Sequence, residues 1–358
     1  MYLNKSLLSR VLALSASVAL CGCNGIVMKP HGDIAQQQAN LIVTSTLLML
    51  LIIVPVIALT LIFAYRYRQS NTEATYEPDW DHSTRLELVI WGAPLLIIIA
   101  LGAITWISTH KLDPFRPLDR ISEDKPLAAD VKPLQVYAVA MDWKWLFIYP
   151  EQGVALVNEL AAPVDRPIHF HFTSTSVMNT FYVPALAGMI YAMPGMQTQL
   201  HAVINKAGVY DGLSAQYSGA GFSDMRFKFH GLSDEQFAQW VESNKAGGNT
   251  LTRADYLKLE QPSTKEPIQR FANVEPGLWS AIVDRCVDGK KMCSSQMMAI
   301  DAAGGAGKGG VAGTMRSAWR DADGAARERT VVAALCTPTN PLGLAPAEAS
   351  AETAAPKN

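Results

Sequence analysis

The chain has 358 residues, with 30 Lys and Arg against 32 Asp and Glu, a formal net charge of −2 and 49% hydrophobic residues. That length suits two or three domains, and the balanced charge excludes nucleic acid as the main partner, since phosphate binding needs a basic excess on some face. Charged residues make up only 17%, against roughly 25% in soluble domains, so long uncharged stretches are expected, while five cysteines are too few for a disulfide-built scaffold.

Lys5 and Arg10 precede an apolar run, Val11 to Leu20, followed by Cys21-Gly22-Cys23-Asn24. A basic start, a short apolar stretch and small residues at its end make a secretory signal rather than a spanning helix. Leu20-Cys21-Gly22-Cys23 is also similar to a bacterial lipobox, in which the final Cys is lipidated and becomes the new N-terminus. On that reading 1–22 is a signal peptide, Cys23 carries lipid, and 23–40 is a lipidated periplasmic N-terminus. The alternative is an ordinary signal with two incidental cysteines.

Two stronger signals follow. Ile34 to Tyr65 contains no charged residue, and Leu41 to Phe63 is almost wholly apolar. Leu88 to His110 again has no formal charge, with Trp91 and Trp106 near its two ends. Each run exceeds the roughly 20 residues needed to cross roughly 30 Å of hydrocarbon, and tryptophans favour the interfaces. Pro55 and Pro94 are tolerated within a membrane bundle. The expected topology is a transmembrane hairpin of 41–65 and 88–110, joined by a cytoplasmic loop at 66–87. Its orientation rests on the export signal, because Arg66, Arg68 and Arg85 at the inner ends are offset by Lys111 and Arg116 at an outer one.

From about Val131 to His230 the pattern changes to short β-like runs: Leu134–Ala140, Pro167–Thr173, Thr180–Val183, Gln197–Ala202 and Met225–His230. Gly and Pro punctuate them as in a β-sandwich. Beyond Gly231 helical signals take over. Ser233 and Gln236 form a capping-box pair, Thr252 caps a second short helix through Leu259, and Pro276 opens a third through Val283. Past Ile300 the composition is mostly Ala and Gly, which buries too little apolar surface to offset ordering entropy. The expected fold is therefore a membrane-anchored all-β protein with a β-sandwich at 131–230, a small α-helical extension at 231–298 and a disordered tail at 299–358.

Met141-Asp142-Trp143-Lys144-Trp145-Leu146-Phe147 is an aromatic run placed between the hairpin and the sandwich. Further on come Val183-Pro184, Met193-Pro194-Gly195, Gly208-Val209-Tyr210-Asp211-Gly212 and Ser214-Ala215-Gln216-Tyr217-Ser218-Gly219. Over about 20–290 the chain resembles subunit II of the haem-copper terminal oxidases, whose sandwich is a cupredoxin. In the cytochrome c oxidases of that family it holds two copper ions through an early His, a Cys-x-Glu-x-Cys pair, a second His and a Met. Carried over one at a time, the early His falls on Asn179 and the cysteines on Ser214 and Ser218. The intervening Glu falls on Gln216, the second His on Phe222, and only Met225 keeps a ligand type. A copper pair needs soft thiolates and imidazoles, so the resemblance implies a copper-free cupredoxin domain.

Loss of that centre is the pattern of the quinol oxidase branch, and the Leu-x-Gly-Cys-Asn sequence is also similar to subunit II of cytochrome bo-type ubiquinol oxidases. The resemblance then implies a non-redox subunit of a proton-pumping complex of the bacterial inner membrane. It implies haem b, haem o and copper in subunit I, further partners in subunits III and IV, membrane lipid around the hairpin, ubiquinol as the substrate of the complex, and no cytochrome c. Two other classes compete: a copper-relay subunit serving cytochrome c, which needs ligands absent here, and a free-standing periplasmic lipoprotein acting as a binding module.

Glu87, in Arg85-Leu86-Glu87-Leu88, lies at the cytoplasmic edge of the second apolar run. The family often places a carboxylate there, near the mouth of a proton channel of subunit I, and an ionisable residue at a membrane boundary is a functional candidate; the alternative is a routine interfacial charge. His169 and His171 alternate with Phe170 and Phe172 and share a strand face, with no third ligand at a suggestive spacing. A solvated or hydrogen-bonded face is the simpler reading. Met189, Met193 and Met196 suit loop packing or a partner contact, and Trp143 and Trp145 suit packing of the sandwich against the membrane subunits. Cys286 and Cys293 can pair in an oxidising compartment; Cys336 is left over.

Overall fold

The computed structural model describes residues 25–302 apart from Tyr76, Pro78, Ala129, Gly247, Lys290 and Lys291. The expected signal segment, Cys23, Cys336 and the residues beyond 302 lie outside the described residues. The chain divides into two units, residues 1–276 and 277–358.

In the first unit, α1 (Asp33–Arg66) and α2 (Thr84–Lys111) are both long and apolar enough to cross a membrane, and none of the apolar stretch of either is buried within the chain. Pro55 and Pro94 lie inside them. The helix α1 starts eight residues before the apolar run begins at Leu41, because Asp33, Ala35 and Ala39 are buried. At 1.5 Å per residue its length of roughly 51 Å exceeds a hydrocarbon core of roughly 30 Å. Its N-terminal turns therefore stand clear of the apolar layer. Glu87 falls in the first turn of α2.

Past the hairpin, β1 (Arg120–Ser122) and β2 (Lys125–Pro126) form a small ladder. Twelve further strands follow: β3 (Leu134–Met141), β4 (Lys144–Tyr149), β5 (Val154–Val157), β6 (Glu159–Pro163), β7 (Ile168–Ser174), β8 (Asn179–Tyr182), β9 (Ile190–Ala192), β10 (Thr198–Ala202), β11 (Gly208–Ser214), β12 (Arg226–Leu232), β13 (Asn249–Leu251) and β14 (Gln269–Val274). They make a seven-stranded sheet in the order β10-β7-β3-β4-β5-β14-β13 and a five-stranded sheet in the order β6-β12-β11-β8-β9. Between the sheets lies an aromatic core of Trp145, Phe147, Phe170, Phe172, Phe181, Phe227 and Phe229. Tyr149 on β4 joins the layers: its hydroxyl donates to Ala161 O (2.7 Å) and accepts from Ala161 N (2.8 Å) on β6.

The segment after the sandwich strands is not helical alone. The helices α3 (Asp234–Ala246) and α4 (Arg253–Leu259) form as expected. Ser233 and Gln236 exchange both hydrogen bonds of a capping box, and Thr252 Oγ1 accepts from Asp255 N. Between and after these helices, however, β13 and β14 complete the larger sheet, with β14 pairing antiparallel to β5. The segment ahead of α1 is also tied to the sandwich. His31 N and Gly32 N both donate to Ala185 O, and Asn205 N donates to His31 O. Only glycine fits at position 32, where a Cβ would come 2.4 Å from Val203 O.

In the second unit, α5 (Leu278–Val283) is capped by Gly277, at φ 76, rather than opened by Pro276. A disulfide joins Cys286 and Cys293, and α6 (Ser294–Ala302) follows.

Candidate functional site

The positions where copper ligands would fall sit on two antiparallel strands and the loop beyond them. Asn179 opens β8, Ser214 ends β11, and Met225 directly precedes β12. Asn179 is wholly buried, Ser214 and Met225 nearly so. Ser214 Oγ donates to Asn179 Oδ1 at 3.2 Å, Asn179 Nδ2 donates to Val177 O, and Ser214 N donates to Met225 O at 3.1 Å. Three of the six positions are thus brought together by hydrogen bonds. In the connecting loop, Gln216 and Ser218 are half-buried, and Phe222 sets its ring edge against Tyr217 at 5.6 Å. The Ser218 hydroxyl is buried without a hydrogen-bond partner.

This donor set does not fit a copper pair. Serine hydroxyls and an asparagine amide are neutral, hard donors at neutral pH. Phenylalanine cannot ligate, and one thioether does not hold copper. Asn179 and Ser214 satisfy each other instead. Among the described residues no group of three His, Cys, Asp or Glu is arranged to hold a metal ion.

The aromatic run at 141–147 lies within the larger sheet, spanning the end of β3, the β3–β4 turn and the start of β4. Trp145 is wholly buried, edge-on to Phe181 at 5.7 Å and Phe227 at 6.0 Å, so it packs the core and cannot face membrane subunits. Trp143 adopts φ 72 at the β3–β4 turn and donates its indole N–H to Ser218 O at 3.0 Å. Gly221 lies flat against that indole, where a Cβ would come within 2.5 Å. Lys144 between them is buried, donating Nζ to Gln261 O at 2.9 Å and to Ser263 Oγ. Burial lowers its pKa, against the attraction of Glu266 and Asp142, which raises it. The sequence analysis did not single out this buried cation, since its partners Gln261 and Ser263 are more than a hundred residues away.

His169 and His171 do share one face of β7, as their alternation indicates, and a third imidazole joins them from β10. His201 is the cross-strand partner of His169, with stacked rings at 4.1 Å, and His169 lies 4.1 Å from His171. No local spacing reveals it, since 30 residues separate the two strands' positions 169 and 199, which bond through His169 Nε2 and Gln199 Oε1. His171 is flanked by Gln135 and Gln197. Burial, with repulsion from His169 and, for His171, also from His201, pushes His171 and His201 down to about 4. The His169 and His171 rings are held by glutamine side chains, and the His201 ring stacks on His169. Glu87 Oε1 meets His82 Nδ1 at 2.8 Å with both side chains exposed. Met189 and Met196 are exposed, and Met193 O accepts from Thr173 Oγ1.

A long apolar hairpin followed by a two-sheet sandwich is the architecture of a subunit II of the haem-copper oxidase class. The model of the cytochrome c oxidase subunit II periplasmic domain matches residues 152–230, and that of the COX aromatic-rich motif matches 245–290. The chain is 49% identical over 274 residues to cytochrome bo(3) ubiquinol oxidase subunit 2 of Pseudomonas aeruginosa, covering 76% of this chain and 80% of that protein. It is 48% identical to the protein of the same name from Pseudomonas putida (77% and 85% covered). It is also 48% identical to ubiquinol oxidase subunit 2 of Acetobacter aceti, with 80% and 91% covered. The chain belongs to the ubiquinol oxidase subunit 2 family.

Proposed function

We propose that the chain is a non-redox scaffold of a proton-pumping ubiquinol oxidase, supporting assembly and capping the periplasmic face of subunit I. The observation that carries this is the Asn179–Ser214 hydrogen bond, together with Ser218 and Phe222, at positions where an electron relay needs thiolates and imidazole. A chain without a relay cannot pass electrons from a water-soluble donor. A quinol dissolved in the bilayer needs no such relay. On this reading haem b, haem o, copper and the quinol site belong to subunit I. Subunits III and IV complete the assembly, with lipid on Cys23 as an added anchor to the inner membrane. Purifying the tagged full chain in mild detergent tests it: haem b, haem o and quinol oxidase activity co-elute with the chain. A chain that elutes alone overturns it.

Glu87 has a narrower role under the same reading, at the cytoplasmic mouth of a proton channel of subunit I. Support comes from its place in the first turn of α2, beside the apolar run, and from its exposed carboxylate. Glu87→Ala then lowers proton pumping and turnover of the assembled complex. Unchanged pumping leaves it an ordinary interfacial charge.

A further inference from the structure

A cavity of about 210 Å³ opens where the hairpin meets the sandwich, between the first turns of α1, the end of α2 and the segment that follows it. Its charges are almost all spoken for. Asp33, buried, takes Arg120 Nε at 2.9 Å, and Arg116 pairs with Asp119 at 2.8 Å. Two are left over: among the described residues Lys111 has no partner, and Asp113 has no cationic one, its Oδ1 only accepting from Phe115 N. The cavity therefore presents one free cation and one free anion, two residues apart.

Its height matters as much as its charge. Lys111 ends α2 five residues beyond the exposed Trp106, roughly 8 Å further along the helix axis. Asp33 stands eight residues before Leu41, roughly 12 Å above the apolar run. The headgroup layer adds roughly 5–7 Å to each side of the hydrocarbon, so the cavity spans that layer and the water at its edge. Below it, α2 buries none of its residues within the chain, which leaves an apolar wall for acyl chains. Lys111 stands in the last turn of α2, at the end where the helix dipole attracts positive charge.

The geometry points to a binding site for one zwitterionic phospholipid of the outer leaflet, whose phosphate meets Lys111 and whose primary ammonium meets the Asp113 carboxylate. This rests on the reading that the hairpin spans the membrane with the sandwich outside. An anionic headgroup satisfies Lys111 alone and leaves Asp113 opposed to it. A quaternary ammonium offers Asp113 no N–H donor.

The test uses the intact oxidase complex, delipidated in mild detergent and titrated in native mass spectrometry. The probes are phosphatidylethanolamine, phosphatidylglycerol, phosphatidylcholine and inorganic phosphate. One phosphatidylethanolamine binds the wild type more tightly than either other lipid. Loss of one charge-assisted hydrogen bond in Lys111→Ala or Asp113→Ala weakens it about tenfold, and Asp113→Ala also abolishes the preference over phosphatidylglycerol. Equal or tighter binding of phosphatidylglycerol, unchanged binding by both variants, or occupation by inorganic phosphate alone overturns the proposal. A side chain of subunit I filling the cavity in the complex overturns it too. Asp113→Cys in spheroplasts separates the two readings. Labelling from outside supports the spanning topology whatever the lipid result, whereas labelling only from inside refutes the topology itself.

Discussion

At the scale of single residues, the positions that the resemblance aligns with copper ligands show how buried polar side chains are accommodated with no metal-binding group among them. Copper-binding loops bring polar side chains into a buried place, and an unpaired polar atom there is costly. Asn179 and Ser214 meet that cost by bonding each other, while the Ser218 hydroxyl is left without a partner. The backbone around them keeps its ladder, with Ser214 N still on Met225 O. Placing His at Asn179 and Phe222, Cys at Ser214 and Ser218, and Glu at Gln216 in one chain should therefore create a copper pair with thiolate-to-copper absorption in the visible and near infrared. A variant that folds by circular dichroism yet binds no copper sinks the residue-by-residue correspondence. These positions are expected from the family resemblance, carried over residue by residue. Lys144 is not, because nothing in a linear pattern distinguishes a buried, bonded lysine from an exposed one.

Among the elements, legibility followed burial on two faces. The strands β7, β10 and β12 alternate buried and open residues, the period-2 signal of a strand with one solvated face, and all three were readable. The strands β4, β5 and β6 are buried at every position. Apart from Lys144 and Glu159 at the starts of β4 and β6 they are apolar throughout, so they carry no period to read. The readable face of β7 and β10 also carries a testable property, its stacked imidazoles. The side chains that hydrogen-bond to His169 and His171 are those of Gln135, Gln197 and Gln199, which are uncharged. Folded-state values near 4 lie below the ordinary 6.5 of His171 and His201, so the unfolded chain binds more protons between those limits. Stability is then fully present above about pH 6.5 and falls as pH drops toward 4. His171→Gln should remove about 1 kcal/mol of that acid loss, allowing for its half exposure. Denaturant titrations at pH 7 and pH 4.5 check this, and a loss equal in wild type and variant would place the acid sensitivity elsewhere.

For the whole molecule, the tie between the N-terminal segment and the sandwich decides topology more firmly than any count of positive charges. His31 and Gly32 hydrogen-bond to Ala185, and Asn205 to His31, so the residues before α1 and the domain after α2 occupy the same side. A hairpin whose two ends share a side must cross twice or not at all. Helices with wholly exposed apolar stretches favour crossing, since water offers such surfaces nothing. The segment between α1 and α2 then lies across the membrane from the sandwich. The sequence alone had to lean on the export signal for this, because the close approach at Gly32 is long-range and leaves no local mark. Two cysteine variants, each made with Cys336 replaced by Ser, read the arrangement directly. Val209, 62% exposed on β11, is changed to Cys in one, and Asn71 between the helices in the other. In intact spheroplasts a membrane-impermeant maleimide should label Val209→Cys, and Asn71→Cys only after the membrane is opened. Labelling of both before opening would mean that the helices lie along the surface instead of spanning it.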